Sequence, residues 1–396
     1  MIDSIIINKR ACTGCSSCCN ICPKSAIQMK LIKGFYKPCI DRDKCISCKQ
    51  CISVCPQNSK IKRSDYKTIA FACKNKDTAV RMKSASGGIF SILAEKVLAD
   101  NGLVYGVAFD TDFSAHHIRI DSSSELIKLR RSKYLQSYVG NIFKSVQNDL
   151  QNGKRVLFSG TPCQCAGLVS YLKKDYKNLI VAEVLCHGAP SPLIWKNYLD
   201  YRIKKSKKSQ KVVECMFHTK DTSPKASWSN SYMYIKLDKE EYNVNGMYDP
   251  YMMLFARSDI ILNDSCYECR YRKLIERGYA DISVCDFWNI ERILPDFYDN
   301  KGISFMMIHS EKGNEFIKSC QDKMELINVN PKTGLSYNSS SLQPEKLNSS
   351  IKVRDALIKY PEKFGHIYFT FLPVIYIRKV LNKFQKLLNR SAKNEH

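Results

Sequence analysis

Two runs of the form C-x2-C-x2-C-x3-C-P stand within the first 56 residues: Cys12, Cys15, Cys18 and Cys22-Pro23, then Cys45, Cys48, Cys51 and Cys55-Pro56. Three thiolates at three-residue intervals wrap one iron-sulfide cubane, and the fourth, displaced by one residue and followed by Pro, reaches across to the partner cluster. The spacing therefore assigns one 4Fe-4S cluster to Cys12, Cys15, Cys18 and Cys55, and a second to Cys45, Cys48, Cys51 and Cys22. Zinc also takes four Cys, but its ligand pairs are usually parted by a long loop. The chemistry implied is one-electron transfer. Cys19 and Cys39 are left over and read as small buried hydrophobes.

The elements around these thiols follow from the pattern. Residues 26–30 and 35–38 alternate around Gly34 and predict a hairpin covering the clusters. Charged residues 60–67 mark a boundary, after which Ile69–Ala72 predicts a strand. Ser84-Ala85-Ser86-Gly87-Gly88 then opens an apolar-periodic helix, Ile89 to Leu98, with the serines as N-caps. Paired Gly at a helix start lets backbone N–H groups approach a phosphate, and a capped helix with no ligand has the same sequence. Strands over Leu103–Phe109 and His117–Ile120 precede the basic stretch Arg130-Arg131-Ser132-Lys133-Tyr134. A βαβ unit follows: strand Arg155–Ser159, a turn at 160–164, helix Ala166–Leu172 and return strand Leu179–Leu185. It puts Cys163 at a helix N-terminus and Cys186 at a strand end, the edge where ligands of open α/β sheets gather. Cys266-x2-Cys269 lies in a polar loop, and 280–288 predicts a buried strand ending in polar groups. From spacing alone, the four separated thiols fit a third cubane, a zinc site or inert thiols equally.

Composition limits the setting. A chain of 396 residues with 44% hydrophobic content can bury two or three cores. Nineteen Cys, behind a start MIDSIIINKR with no apolar leader, predict a reducing compartment rather than a disulfide scaffold. No 18-residue apolar run appears, so the expected location is cytoplasmic. The formal charge of +24 favours acidic partners even after two or three anionic clusters, each of about −2 with its thiolates, are counted. It does not make the chain a nucleic-acid binder, since no helix-turn-helix is recognisable. Residues 330–350 predict an irregular connector. The run Ile367–Ile377 is too short to span a bilayer. Val380, Leu381, Phe384, Leu387 and Leu388 then oppose Arg378, Lys379, Lys383, Lys386 and Arg390 in an interfacial-helix pattern that suits peripheral membrane contact or packing on protein equally.

Taken together, the two cysteine runs, SASGGIF (84–90), RSKYLQS (131–137), SGTPCQ (159–164), LCHGAPSP (185–192), the C-x2-C pair and ADISVCDFW (280–288) resemble the coenzyme F-420 hydrogenase/dehydrogenase beta subunit family over roughly residues 1–320. The resemblance implies an iron-sulfur flavoprotein oxidoreductase passing electrons between clusters and FAD, and between FAD and a hydride-exchanging partner such as coenzyme F-420 or another organic substrate. Some relatives accompany surface-polysaccharide genes. The alternative is a flavin-free subunit relaying electrons to a separate enzyme. The implied fold is an N-terminal bacterial-type two-cluster ferredoxin domain of α+β character (1–62), followed by an α/β flavin- and cluster-binding region in two parts (67–150 and 151–325) and a connector with a basic tail (326–396). It further implies that Cys163, Cys186, Cys266 and Cys269 bind a third 4Fe-4S cluster beside FAD, with Cys285 and Cys165 as competing thiols. Ser86, Gly87, Gly88, Ser132, Lys133 and Tyr134 become candidate flavin contacts, and Lys133 and His187 candidate catalytic residues. The expected partner is a redox protein or a deazaflavin-type small molecule. Two departures stand out: Arg131 and Cys285 each occupy a position where relatives commonly carry Gly.

Overall fold

The computed structural model describes residues 11–60, 63–220, 227–272, 274–338, 344, 348–374 and 377. At the N-terminus an antiparallel hairpin, β1 (Ile27–Ile32) and β2 (Phe35–Ile40), lies beside two short helical turns, Ser17–Ile21 and Gln50–Ser53. Each turn begins inside one cysteine run, so the run is wound into a tight curl. Gly14, at φ +77, is required there: a Cβ would sit 2.4 Å from Gln136 Nε2 and 2.6 Å from the Tyr36 carbonyl.

The rest of the chain is built on one eight-stranded mixed sheet. Its strands are β3 (Ile69–Asn75), β4 (Leu103–Phe109), β5 (Ala115–Ile120), β6 (Val156–Gly160), β7 (Leu179–Val184), β11 (Ile282–Asp286), β12 (Ser304–Ile308) and β13 (Met324–Val329). The order is β13-β3-β12-β11-β7-β6-β4-β5. The central strands β4, β6, β7 and β11 are parallel, and antiparallel strands flank them. β6 and β12 are buried at every position because both faces of the sheet are covered, in keeping with their apolar stretches 156–158 and 305–308. Segments 67–150 and 151–325 both contribute strands, so they share one sheet.

Between β7 and β11 the chain leaves this sheet to form a smaller antiparallel one, β8 (Val212–Thr219), β9 (Tyr232–Leu237) and β10 (Glu241–Asn245). It packs on helix Pro192–Lys205 through a core holding Trp195, Tyr198, Phe217 and Tyr251. The connector expected at 330–350 is in part helical. Pro331–Ser336 forms a helix capped by Asn330, whose side chain accepts from the Lys332 and Thr333 amides, and Asn348–Lys359 forms another. Residues 364–374 continue as helix through Pro373. The amphipathic segment at 378–390 lies outside the described residues. Among the described residues no helix is long and apolar enough to cross a membrane.

Candidate functional site

The parallel strands all run toward one edge, and the chain leaves each of them there with a polar or sulfur-bearing residue. Beyond β6 come Thr161 and Cys163, and beyond β7 come Cys186 and His187. β11 ends in Cys285 and Asp286, with Trp288 just after. A cavity of about 710 Å³ opens along this edge, lined by all seven of these residues together with the segments 84–86, 88–91 and 129–137. Ligands collect at this position in open α/β sheets because the loops diverge and helix N-termini face the opening. Two helices present their N-termini here, Ile89–Ala99 and Pro162–Leu172. The second begins with Pro162, and the Gln164 side chain accepts from the Thr161 amide at 3.0 Å.

Ser86, Gly88, Ser132, Lys133, Tyr134 and His187 line the cavity, whereas Gly87 does not. Gly87 packs against β3 and β12. Its amide donates to Ser304 Oγ at 3.0 Å, and a Cβ would lie 2.6 Å from the Cys73 carbonyl. The helix cap is Gly88 at φ +79 rather than a serine. Lys133 turns its ammonium onto the carbonyls of Arg130 at 2.7 Å and Lys128 at 2.9 Å, closing the helical turn Leu126–Leu129, and burial lowers its pKa to about 7. His187 Nε2 meets Asp259 Oδ1 at 2.6 Å, and its ring stands edge-on to Phe255. Arg131 has φ +67, the left-handed region that Gly enters freely and other residues enter at a cost of about 1 to 2 kcal/mol. Its guanidinium is tied to the Lys83 carbonyl at 3.0 Å.

The structure brings the predicted cluster thiols together in three sets. Burial raises Cys18, and the sulfurs of Cys15, Cys12, the spare Cys19 and Cys55 push it further; Cys12 likewise raises Cys55. Cys22, Cys45, Cys48 and Cys51 line a single small cavity of about 80 Å³. In the third set burial, then Cys186, Cys269 and Cys266, hold Cys163 well above the usual thiol range. Cys186 is pushed up to about 12 by burial and by Cys266, and Cys266 to about 11 by burial and Cys269. Buried thiols facing one another resist ionisation, and a cationic iron core removes that resistance. Among the described residues no three His, Cys, Asp or Glu side chains converge tightly enough to hold a single ion. A cubane places one iron beneath each sulfur, so its thiolates stand farther apart than those around one ion.

The two competing thiols have partners of their own. Cys285 Sγ accepts from Asn338 Nδ2 at 3.0 Å, and its nearest ionisable neighbours are Asp286 and Cys73. Cys165 is fully buried in the apolar core beneath the helix, with its thiol directed to the Gly160 carbonyl.

The cysteine-rich unit docks so that its first set adjoins the third. Helix Pro162–Leu172 carries Cys163 in its first turn and Gly167 one turn later, about 5.4 Å along the axis. A Cβ on Gly167 would lie 3.1 Å from Cys15 Sγ, and Ser17 Oγ donates to the Gly167 carbonyl at 2.8 Å. Tyr271, buried, feels both Cys163 and Cys15, and Gln57 reaches its hydroxyl. Lys37 donates to the Cys12 carbonyl and, at 3.0 Å, to Asn263 Oδ1, and it lies within the electrostatic reach of Cys12, Cys266 and Asp264. Gln136, Asn20 and Arg270 fasten the unit down through backbone groups of Thr13, Gly140 and Pro56.

Sequence reasoning missed a second polar group on the cavity wall. His218 sits in an irregular stretch of β8 at φ +52, a bulge that turns its ring inward. Nδ1 lies 3.9 Å from Asp286 Oδ2 and 3.5 Å from the Tyr134 hydroxyl, and Nε2 is buried with no hydrogen bond of ordinary geometry among the described residues. The ring lies within 11° of parallel to both Trp228 and Trp288. Burial lowers the His218 pKa and Asp286 opposes that; burial likewise raises the Asp286 carboxyl. An isolated His in a strand carries no signal in the sequence.

Comparison with known proteins adds family to geometry. Residues 11–59 match the 4Fe-4S dicluster domain, and residues 153–333 match the C terminus of the coenzyme F420 hydrogenase/dehydrogenase beta subunit. No curated protein matches. A chain in a structure of the F420-reducing [NiFe] hydrogenase complex from Methanosarcina barkeri aligns over 77% of this chain and 91% of its own, at 13% identity and a TM-score of 0.44. The chain is an iron-sulfur electron-transfer oxidoreductase related to the coenzyme F420 hydrogenase beta subunit, with a 4Fe-4S dicluster domain ahead of a region that matches the C terminus of that family.

Proposed function

We propose that the chain is a flavoenzyme with three 4Fe-4S clusters, in which FAD in the large cavity exchanges hydride with an organic partner and single electrons with the clusters. One observation carries this reading: Cys163 and Cys186, two of the third set's thiols, are themselves wall residues of the cavity. A cofactor held there would touch the third cluster's ligands. The cavity falls within the range of about 300 to 1,000 Å³ usual for cofactor sites. Its hydroxyl-rich segment Ser84–Ser91 and the two helix N-termini suit a pyrophosphate.

A bound flavin supplies the conversion between two-electron and one-electron transfer. The protein's share is positional. Ser86, Gly88 and Ser132 offer polar contacts on one side. Lys133 stiffens that segment from behind by closing its turn. On the other side His218 Nε2 holds or receives the proton of the organic partner, while Asp286 stabilises the charge that forms on the ring. His187, fixed by Asp259, orients the loop that carries Cys186. From the third set the order of thiols leads through Cys163, Gly167 and Cys15 to the first set, and from there to the second. The organic partner we propose is coenzyme F-420 or another organic substrate, with surface-polysaccharide biosynthesis as the proposed setting.

The reading is tested by anaerobic titration of flavin-stripped protein with FAD, followed by flavin fluorescence. Saturable quenching at about one FAD per chain, lost in a Ser132→Trp variant that fills the cavity, supports it. Absence of saturable binding to the wild type refutes it and leaves a cluster-only electron relay.

A further inference from the structure

At the end of the thiol series away from the cavity, the second cysteine set meets the surface. Of the twelve thiols assigned to clusters, Cys48 alone is exposed. In the loop 41–50 every residue except Cys45 is exposed, and Ile46 projects with 57% of its surface in solvent. Ser47 at φ +54 and Lys49 at φ +60 hold the loop in a defined, left-handed shape. The seat of about 80 Å³ is rimmed by Ile46 and by Lys24, Lys44 and Lys49. Arg42 lies beside them. The local carboxylates are Asp41, paired with Lys44 at 3.1 Å, and Asp43.

We propose that this edge is the docking surface for an acidic one-electron carrier protein, a small protein with carboxylates around an exposed redox centre. The inference rests on the second set holding a 4Fe-4S cluster. A cubane fills the seat, so no room remains for a small organic donor, and exchange there takes place across a protein contact. An apolar knob inside a cationic rim is the anatomy of a transient contact, with Ile46 as the desolvated centre and the lysines as the steering rim. The chain's formal charge of +24 adds long-range attraction for an acidic partner. The step balances simply: the reduced carrier loses one electron, the cluster gains it, and no bond or proton moves.

The experiment compares the wild type with Lys24→Glu/Lys44→Glu/Lys49→Glu and with the milder triple Lys→Gln variant, using a reduced acidic two-cluster ferredoxin as probe. Stopped-flow bleaching of the clusters and calorimetric binding at low salt are both read, with iron content and dithionite bleaching measured alongside. For the wild type the carrier rate falls at least about tenfold as ionic strength rises from about 0.02 to 0.3 M, because the Debye length shrinks. The Glu variant binds and accepts electrons at least about tenfold more weakly, with a flat salt dependence, and the Gln variant lies between. Carrier rates and affinities in both variants equal to the wild type would overturn the proposal. If the Glu variant loses iron, the Gln variant decides by the same criterion. A wild type with too little iron for a second cluster would instead overturn the cluster reading beneath it.

Discussion

Replacing Lys37 by Met removes an ammonium that the structure sets between the first and third thiol sets, while keeping most of the stem's packing. Lys37 is half-buried, bonds to the Cys12 carbonyl and Asn263, and lies near both Cys12 and Cys266. A fixed cation stabilises an added electron. At an effective dielectric of about 20 and a separation of about 8 to 10 Å, the interaction is about 1.7 to 2 kcal/mol. For a one-electron couple that is about 70 to 90 mV. Lys37→Met is therefore expected to lower the potentials of both the first and the third cluster by this amount. The second cluster, held by thiols that Lys37 does not face, is expected to move by about half as much, about 35 to 50 mV at a separation of about 15 to 20 Å. Anaerobic redox titration followed by electron paramagnetic resonance reads all three. First and third potentials unchanged in a variant that keeps its iron would refute the placement of Lys37 between them.

Cys163→Ser is expected to remove about four of about twelve irons and spare the N-terminal pair, whereas Cys285→Ser keeps the full complement; iron analysis of the two purified variants distinguishes the third set from its competitor. Gly167→Ala pushes a methyl within 3.1 Å of Cys15 Sγ and 2.8 Å of Ser17 Oγ, and overpacking of this kind costs about 1 to 3 kcal/mol; limited proteolysis should release the cysteine-rich unit sooner than in wild type. Arg81→Met breaks a buried pair in which Asp299 is 32% exposed, so the loss expected in denaturant unfolding is about 3 kcal/mol, the low end for such pairs. Burial alone would raise the Asp299 carboxyl, but Arg81 outweighs it and holds the pKa below its usual value. The contribution is full above the unfolded pKa of about 4 and is lost as pH falls through the lower folded value, so the gap between wild type and variant closes only in that acid range.

The N-terminal thiols were legible because cluster ligation there is written in local spacing, three residues at a time. The third set was not. Cys163, Cys186, Cys266 and Cys269 come from two strand ends and a distant loop, and only the sheet order β11-β7-β6 places them at one edge. The carboxyl-edge argument located Cys163 and Cys186, and resemblance to a family supplied the rest. Turn chemistry misled in two places. The serines before Ile89 read as caps, yet Gly88 occupies the left-handed turn. Asn330-Pro331 read as loop, although Asn followed by Pro is equally a helix start. His218, Lys37 and Tyr271 had no sequence signal, since a His in a strand, a Lys in a hairpin and a Tyr in a loop acquire meaning only from what the fold sets beside them.

The most direct test of the account is the count of iron and flavin released per chain from protein purified without oxygen. Three four-iron clusters and one cofactor predict about twelve irons and about one FAD. About eight irons with no flavin would contradict it, leaving two clusters in a chain that passes electrons to an enzyme elsewhere.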